Sequence, residues 1–231
     1  MKISALSALF VPAVLLFSCS GANDSGKSDS AKTDSGMVDI TRPVGQDLLE
    51  TLLMIKDEAE LKTKFGADHV TYDTIWGAEG TYDMSSYLDK GTKDEVQLFW
   101  GDSLNRAVVL TVTATASFDT ASGNYIFNNK WSSATGVHIG STTDELEKIN
   151  GKPFIFSGFG WDYGGGVMSW EKGKLEDSGV GVELTEGENI GKMPEKELNQ
   201  IMGDQNVRSD NPVVKKVQPR VYKLSVYHAP R

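Results

Sequence analysis

One seven-residue spacing constrains the fold of this chain more than any other feature. Glu60-Leu61, Glu145-Leu146 and Glu197-Leu198 are each followed by a glycine at the same distance, Gly66, Gly151 and Gly203, so that all three read E-L-x-x-x-x-G. Self-similarity of this kind points to repeated structural units. The first and third copies continue with a valine four residues after the glycine, Val70 and Val207. Each copy also carries helix punctuation. Thr142-x-x-Glu145 is a capping box, in which the hydroxyl accepts from an orphan backbone N–H and the glutamate reaches back. Asp57-x-x-Glu60 uses an aspartate for the same purpose, and Pro194 stands where a first-turn proline is tolerated. Each glycine falls where a helix end takes a left-handed residue, and Pro153 stops the second helix. The pattern predicts three short helices of about two to three turns, each burying its leucine.

The intervening segments alternate like strands. Val70–Trp76, Glu95–Trp100 and Ala107–Ala114 follow the first helix, and Phe154–Phe159, Val167–Trp170 and Gly179–Leu184 follow the second. In the third of these, Val108, Leu110 and Val112 are expected on one face, with Val109, Thr111 and Thr113 on the other. Val221–Tyr227 closes the chain, with Tyr222, Leu224 and Val226 expected on one side. The fold class is therefore α+β: short helices packed on antiparallel hairpins and meanders, in two or three related helix-plus-strands units. A first unit spans 41–135 and a second spans 136–231 with a shorter third return; one continuous domain is equally compatible with the pattern.

The stretch from Ile139 and Gly140 through Thr142, Glu145-Leu146 and Gly151 to Pro153 resembles the "G-x-T-x-x-x-V-x-x-x-x-G-x-P" element of small outer-membrane assembly lipoproteins. Domains of the β-lactamase-inhibitor-protein type share it. Gly140, Thr142, Gly151 and Pro153 match, and Leu146 stands for the usual valine. The resemblance implies a helix on an antiparallel sheet and a role in binding other proteins. It covers about 15 residues, and its shared positions are caps and turns, so it carries over no functional residue. The first copy lacks both the G-x-T opening and the proline.

The amino terminus directs where such a domain works. Lys2 precedes an apolar run from Ile3 to Phe17, too short for a permanent span of roughly 20 residues and fitting a secretory signal at 1–18. Leu16-Phe17-Ser18-Cys19 resembles a bacterial lipobox, which implies cleavage before Cys19, the only cysteine, and its acylation. More than one acyl chain makes such attachment durable. Residues 19–40 then form the lipidated cysteine and a tether. Its Ser, Gly, Asp and Lys cannot bury enough surface to fold, and its span is roughly 20–25 Å. Ser20, in place of the aspartate tied to inner-membrane retention, points to the outer membrane, with the periplasmic or surface face open. Removing Lys2 with the leader leaves 22 basic against 32 acidic side chains, which disfavours nucleic acid as a partner. With no second cysteine, stability rests on a packed core, for which about 190 residues suffice.

Chemistry is harder to find. Gly158, Gly160 and Gly164 open like a dinucleotide loop, but "GGGVMSW" follows where a helix is required; no cofactor is expected. Trp161, Asp162 and Tyr163 sit together at an expected loop tip, and aromatic plus carboxylate is the chemistry of sugar binding and of protein hot spots. The bland alternative places these rings, with Trp170, in the core. His69, His138 and His228 lack metal-site spacing. Asp204 and Asn206 are spaced like calcium donors, but Arg208 occupies the next donor position; no metal site is expected. There is no G-x-S-x-G elbow, and the carboxylate pairs Asp57/Glu58 and Asp144/Glu145 lie at helix starts, where acids favour the dipole. No catalytic residue is assigned. The expectation is a lipid-anchored envelope lipoprotein, non-enzymatic, that binds a protein partner. The alternatives are a carbohydrate-binding surface lipoprotein using Trp161 and its neighbours, and an envelope hydrolase of unrecognised type.

Overall fold

The three glycine-terminated segments differ in how far they become helix. In the computed structural model, which describes residues 47–76 and 82–229, Asp57 opens α2 (Glu58–Phe65), its carboxylate accepting from the Glu60 N–H at 2.8 Å. A shorter α1 (Glu50–Leu53) precedes it. Thr142 opens α3 (Thr143–Asn150) with the full capping box. The Glu145 N–H donates to Thr142 Oγ1 at 3.2 Å, the Thr142 N–H donates to Glu145 Oε2 at 2.8 Å, and Gly151 ends the helix at φ 84°. The third copy shrinks to α4 (Glu195–Leu198). There Pro194 is the cap residue itself, one place earlier than expected, and has no side-chain oxygen to hold an orphan N–H. Gly203 then leaves the helical path altogether, its N–H donating to the Phe159 carbonyl at 2.7 Å. α5 (Pro212–Val217), capped by Asn211, is too short to show a period in the sequence. Cys19, the leader at 1–18 and the tether at 19–40 lie outside the described residues.

The strands make three antiparallel sheets. β1 (Val70–Trp76), β2 (Tyr82–Leu88), β3 (Val96–Asp102), β4 (Ala107–Thr115), β11 (Val221–Tyr227) and β9 (Val180–Leu184) pair in that order. β10 (Asn206–Arg208), β7 (Ile155–Ser157) and β8 (Val167–Ser169) form a second sheet, and β5 (Ser117–Asp119) with β6 (Asn124–Ile126) a lone hairpin. The protein is thus a mixed α+β fold dominated by antiparallel strands. Its large sheet takes strands from both halves of the chain, and the described residues fall in one compact unit, Val38–Arg231.

Register decides what each side of the large sheet sees. Leu88, Val96, Ala114, Leu224 and Val182 stand in one cross-strand row, and Ser86, Leu98, Val112, Val226 and Val180 in the next but one; all are buried. Leu52, Leu53, Leu61, Leu146, Val213, Val214 and Val217 from the helices join the same core. Burying that many aliphatic side chains, at about 1.5–3 kcal/mol each, is what holds the layers together.

Two expectations about strand faces fail, both through bulges. Val108, Leu110 and Val112 do not share a face: the ladder slips between Phe99 and Trp100, so Val109 and Val112 are buried while Val108 and Leu110 are exposed. An extra residue in one strand breaks the two-residue period. In β11 a second slip, between Val221 and Lys223, leaves Tyr222 only partly buried against the core that Leu224 and Val226 enter fully, and its hydroxyl reaches Glu183. The apolar alternation of β2, Tyr82, Met84 and Leu88, is interrupted at Ser86, one of its core positions. That hydroxyl accepts from Trp100 Nε1 and donates to the buried Glu58 carboxylate, both at 3.0 Å, and Glu58 pairs with Arg106 at 2.5 Å. A buried polar cluster replaces hydrophobic contact there.

Candidate functional site

The glycine-rich stretch becomes a packed loop. Phe156, Phe159 and Trp170 are buried, with Trp170 5.0 Å from Phe154 and Phe156 5.3 Å from Phe159 between ring centroids. Gly165 has φ 83°, and a Cβ there would lie 2.1 Å from the Leu184 carbonyl oxygen, so only glycine lets the loop meet β9. Trp161 is half-buried, its Nε1–H donating to the Gly158 carbonyl at 2.8 Å. Asp162 is exposed, and Tyr163, 71 % exposed, stands edge-on to Trp161 at 5.3 Å. The three residues do share a loop tip. The tryptophan is fastened down, and the tyrosine alone offers an open ring.

A larger exposed surface lies on the far side of the six-stranded sheet. There Tyr87, Gln97, Thr113, Ser225 and Gly181 form one row, and Ser85, Phe99, Thr111 and Tyr227 another. Among the described residues these rows are half-buried or exposed, except for Ser85 and Thr113, which lie sealed in the floor. The floor is tied across strands: Gln97 Nε2 donates to Ser85 Oγ at 2.9 Å, and the Thr113 and Ser225 hydroxyls share a 2.8 Å bond. This is a flat platform of small hydroxyls with aromatic rings standing on it.

At the β11–β9 end the platform runs into the β5–β6 hairpin. Phe118 and Tyr125 pair across the hairpin at 5.2 Å, Tyr125 lies 5.1 Å from Tyr222, and the Tyr222 hydroxyl donates to Glu183 Oε2 at 2.7 Å. Lys223 Nζ donates to the other Glu183 oxygen, also at 2.7 Å. Burial, reinforced by the Glu183 carboxylate, pushes the Tyr222 phenol far above its ordinary value, so it stays protonated. Beyond Glu183 is an open depression of about 240 Å³, lined by Gly166, Val167, Gly181, Glu183, Lys223 and Ser225 among others. The hairpin turn is tied by side-chain hydrogen bonds. Its Asp119 carboxylate accepts from the Ser122 hydroxyl and the Ala121 N–H, which together hold the carboxyl below the usual range. Gly140, at φ 91°, lies so close beneath that a Cβ would come within 2.9 Å of Phe127 Cβ. None of these hairpin residues stands out by residue type. The signal available was the polar turn between Phe118 and Tyr125, "DTASGN", bounded by alternating rings.

The other sequence candidates are accounted for locally. Ser141 Oγ lies 2.7 Å from His138 Nδ1, a serine–histidine pair, but the serine is buried and also accepts from the His138 N–H three residues back. That is a turn motif. His69 meets Asp89 at 2.6 Å on the surface, and His228 meets the Val109 carbonyl at 3.2 Å. Arg208 forks onto Asp210 with two 3.0 Å bonds, occupying the polar turn near Asp204 and Asn206. Among the described residues no group of three His, Cys, Asp or Glu side chains could hold a metal ion, and no helix is long and apolar enough to cross a membrane.

The chain matches no protein family, no curated protein and no solved structure.

Proposed function

We propose that this is an exported lipoprotein, anchored in the cell envelope through acylated Cys19, whose folded domain is a non-catalytic scaffold for a protein partner. The observation that carries the reading is the open side of the large sheet. Six strands spaced by about 4.8 Å and paired over roughly five residues offer a face of about 24 by 17 Å, roughly 400 Å². That is about half of what one side of a standard protein interface buries, so the partner also contacts the surrounding loops. Phe99, Tyr87 and Tyr227 supply rigid rings at small entropic cost, and the hydroxyl floor supplies adaptable hydrogen bonds, the combination that suits protein recognition. The three E-L-x-x-x-x-G segments are read as related units that assemble this sheet jointly, the third worn down to a single turn. The outer membrane is the proposed location.

Two measurements test this. Mass spectrometry of the native protein should find acyl chains on Cys19, and Cys19→Ser should release the protein from the membrane fraction. A pull-down from detergent-solubilised envelope should recover a stoichiometric protein partner. Recovery should fall at least tenfold in a Thr111→Arg, Tyr227→Asp double variant that melts at an unchanged temperature. Equal recovery, or no partner at all, sinks the scaffold reading.

A further inference from the structure

The strip from Phe118 through Tyr125 and Tyr222 to Glu183 and Lys223 has a chemistry different from that of the platform. We propose that it binds a short, uncharged, linear glycan, with one pyranose ring seated in the depression beside Glu183.

Three observations lead there. The depression, about 240 Å³, holds about eight waters' worth of liquid volume. Its wall mixes Val167 and glycine backbone with a carboxylate, an ammonium and the Ser225 hydroxyl. A sugar ring replaces such waters hydroxyl for hydroxyl while laying its C–H face on the apolar part; a purely apolar ligand strands the polar groups. Second, the Glu183 carboxylate is fixed on both oxygens, by Tyr222 and by Lys223 at 2.7 Å each. Each oxygen keeps acceptor capacity, and Lys223 keeps two N–H donors, so the pair presents adjacent acceptor and donor positions matched to neighbouring hydroxyls. Third, a run of rings starts at Tyr222, whose hydroxyl holds Glu183, with Tyr125 5.1 Å from Tyr222 and Phe118 5.2 Å from Tyr125, giving apolar contact for further units of a chain.

An extended peptide fits less well. It docks by adding to a free strand edge, but the outer edge of β9 is already engaged where Glu183 bridges Gly166 and the Leu184 N–H donates to the Gly165 carbonyl. The surplus of acidic side chains, 32 against 23 basic, disfavours an anionic chain.

The test is titration calorimetry, supported by NMR shift mapping, on the chain starting at Ser20. That chain keeps the whole compact unit Val38–Arg231. The probes are cellotetraose, chitotetraose and maltotetraose. Saturable binding of at least one is expected, weakened about tenfold or more by Tyr125→Ala and by Glu183→Gln and unchanged by Leu104→Ala at the exposed turn between β3 and β4. Phe118→Ala, at a 54 % exposed position, removes a ring without touching the core and should also weaken binding. Absence of saturable binding by all three glycans overturns the proposal. So does binding that Tyr125→Ala and Phe118→Ala leave intact, or a strip that takes up an extended peptide library while ignoring the sugars.

Discussion

The loop around Trp161 and the hairpin around Tyr125 are both glycine-containing turns carrying aromatic rings, yet they end in opposite states. At the first, glycines at 158, 160 and 165 let the backbone press against β9 and the Ile201–Gly203 turn, and the large indole follows it inward until Nε1–H finds the Gly158 carbonyl. At the second, a polar turn locked by Asp119 projects the strands outward, and Phe118 and Tyr125 stay on the surface. Glycine permits close approach, so a glycine-rich loop packs down. A turn built on side-chain hydrogen bonds stands up.

Three changes would break or sharpen that contrast. Gly165→Ala should be the most damaging, costing about 3–4 kcal/mol, because it combines a left-handed backbone with a Cβ driven into the Leu184 carbonyl. Denaturant unfolding measures it, and a loss under about 1 kcal/mol would mean that the loop is not packed as described. Next, Trp161→Ala and Tyr125→Ala should separate. The first should cost about 2 kcal/mol from lost burial and a lost bond, the second about 1 kcal/mol or less. A reversed order would make Trp161 the contact residue and Tyr125 the structural one. The smallest effect is on pH. The Asp119 carboxyl is depressed in the fold, so its contribution to the hairpin is present above its unfolded pKa of about 3.9 and is lost as pH falls through the lower folded value. Tyr125 ring resonances should shift in that acid window, and an Asp119→Asn protein should not show the same titration.

The helix starts were legible because a cap is a local device: Asp57 with Glu60 and Thr142 with Glu145 close their bonds within one turn. Pro194 shows the limit, since a proline marks a beginning without supplying the oxygen that sustains it. β2 stayed hidden because Ser86 fills its core position through Glu58 and Trp100, partners 28 and 14 residues away. The bulge at Leu110 was equally illegible, being set where the Val108 N–H donates to the Lys56 carbonyl. Of the site, Tyr163 could be anticipated from its loop. Tyr222 and Glu183 could not, because their meeting depends on the order in which distant strands pair.

That order has a consequence for how the protein is made. β11, the last of the described strands, lies between β4 and β9 in the large sheet, so neither neighbour has its full complement of pairing until residues 221–227 are free to insert. A chain handed leader-first to an export machine, as proposed, therefore has no complete core to resist threading until β11 has left the ribosome. The same arrangement makes truncation after Gln218 equivalent to pulling out the plank that ties β9 to the rest of the floor: four paired strands remain on one side and β9 alone on the other.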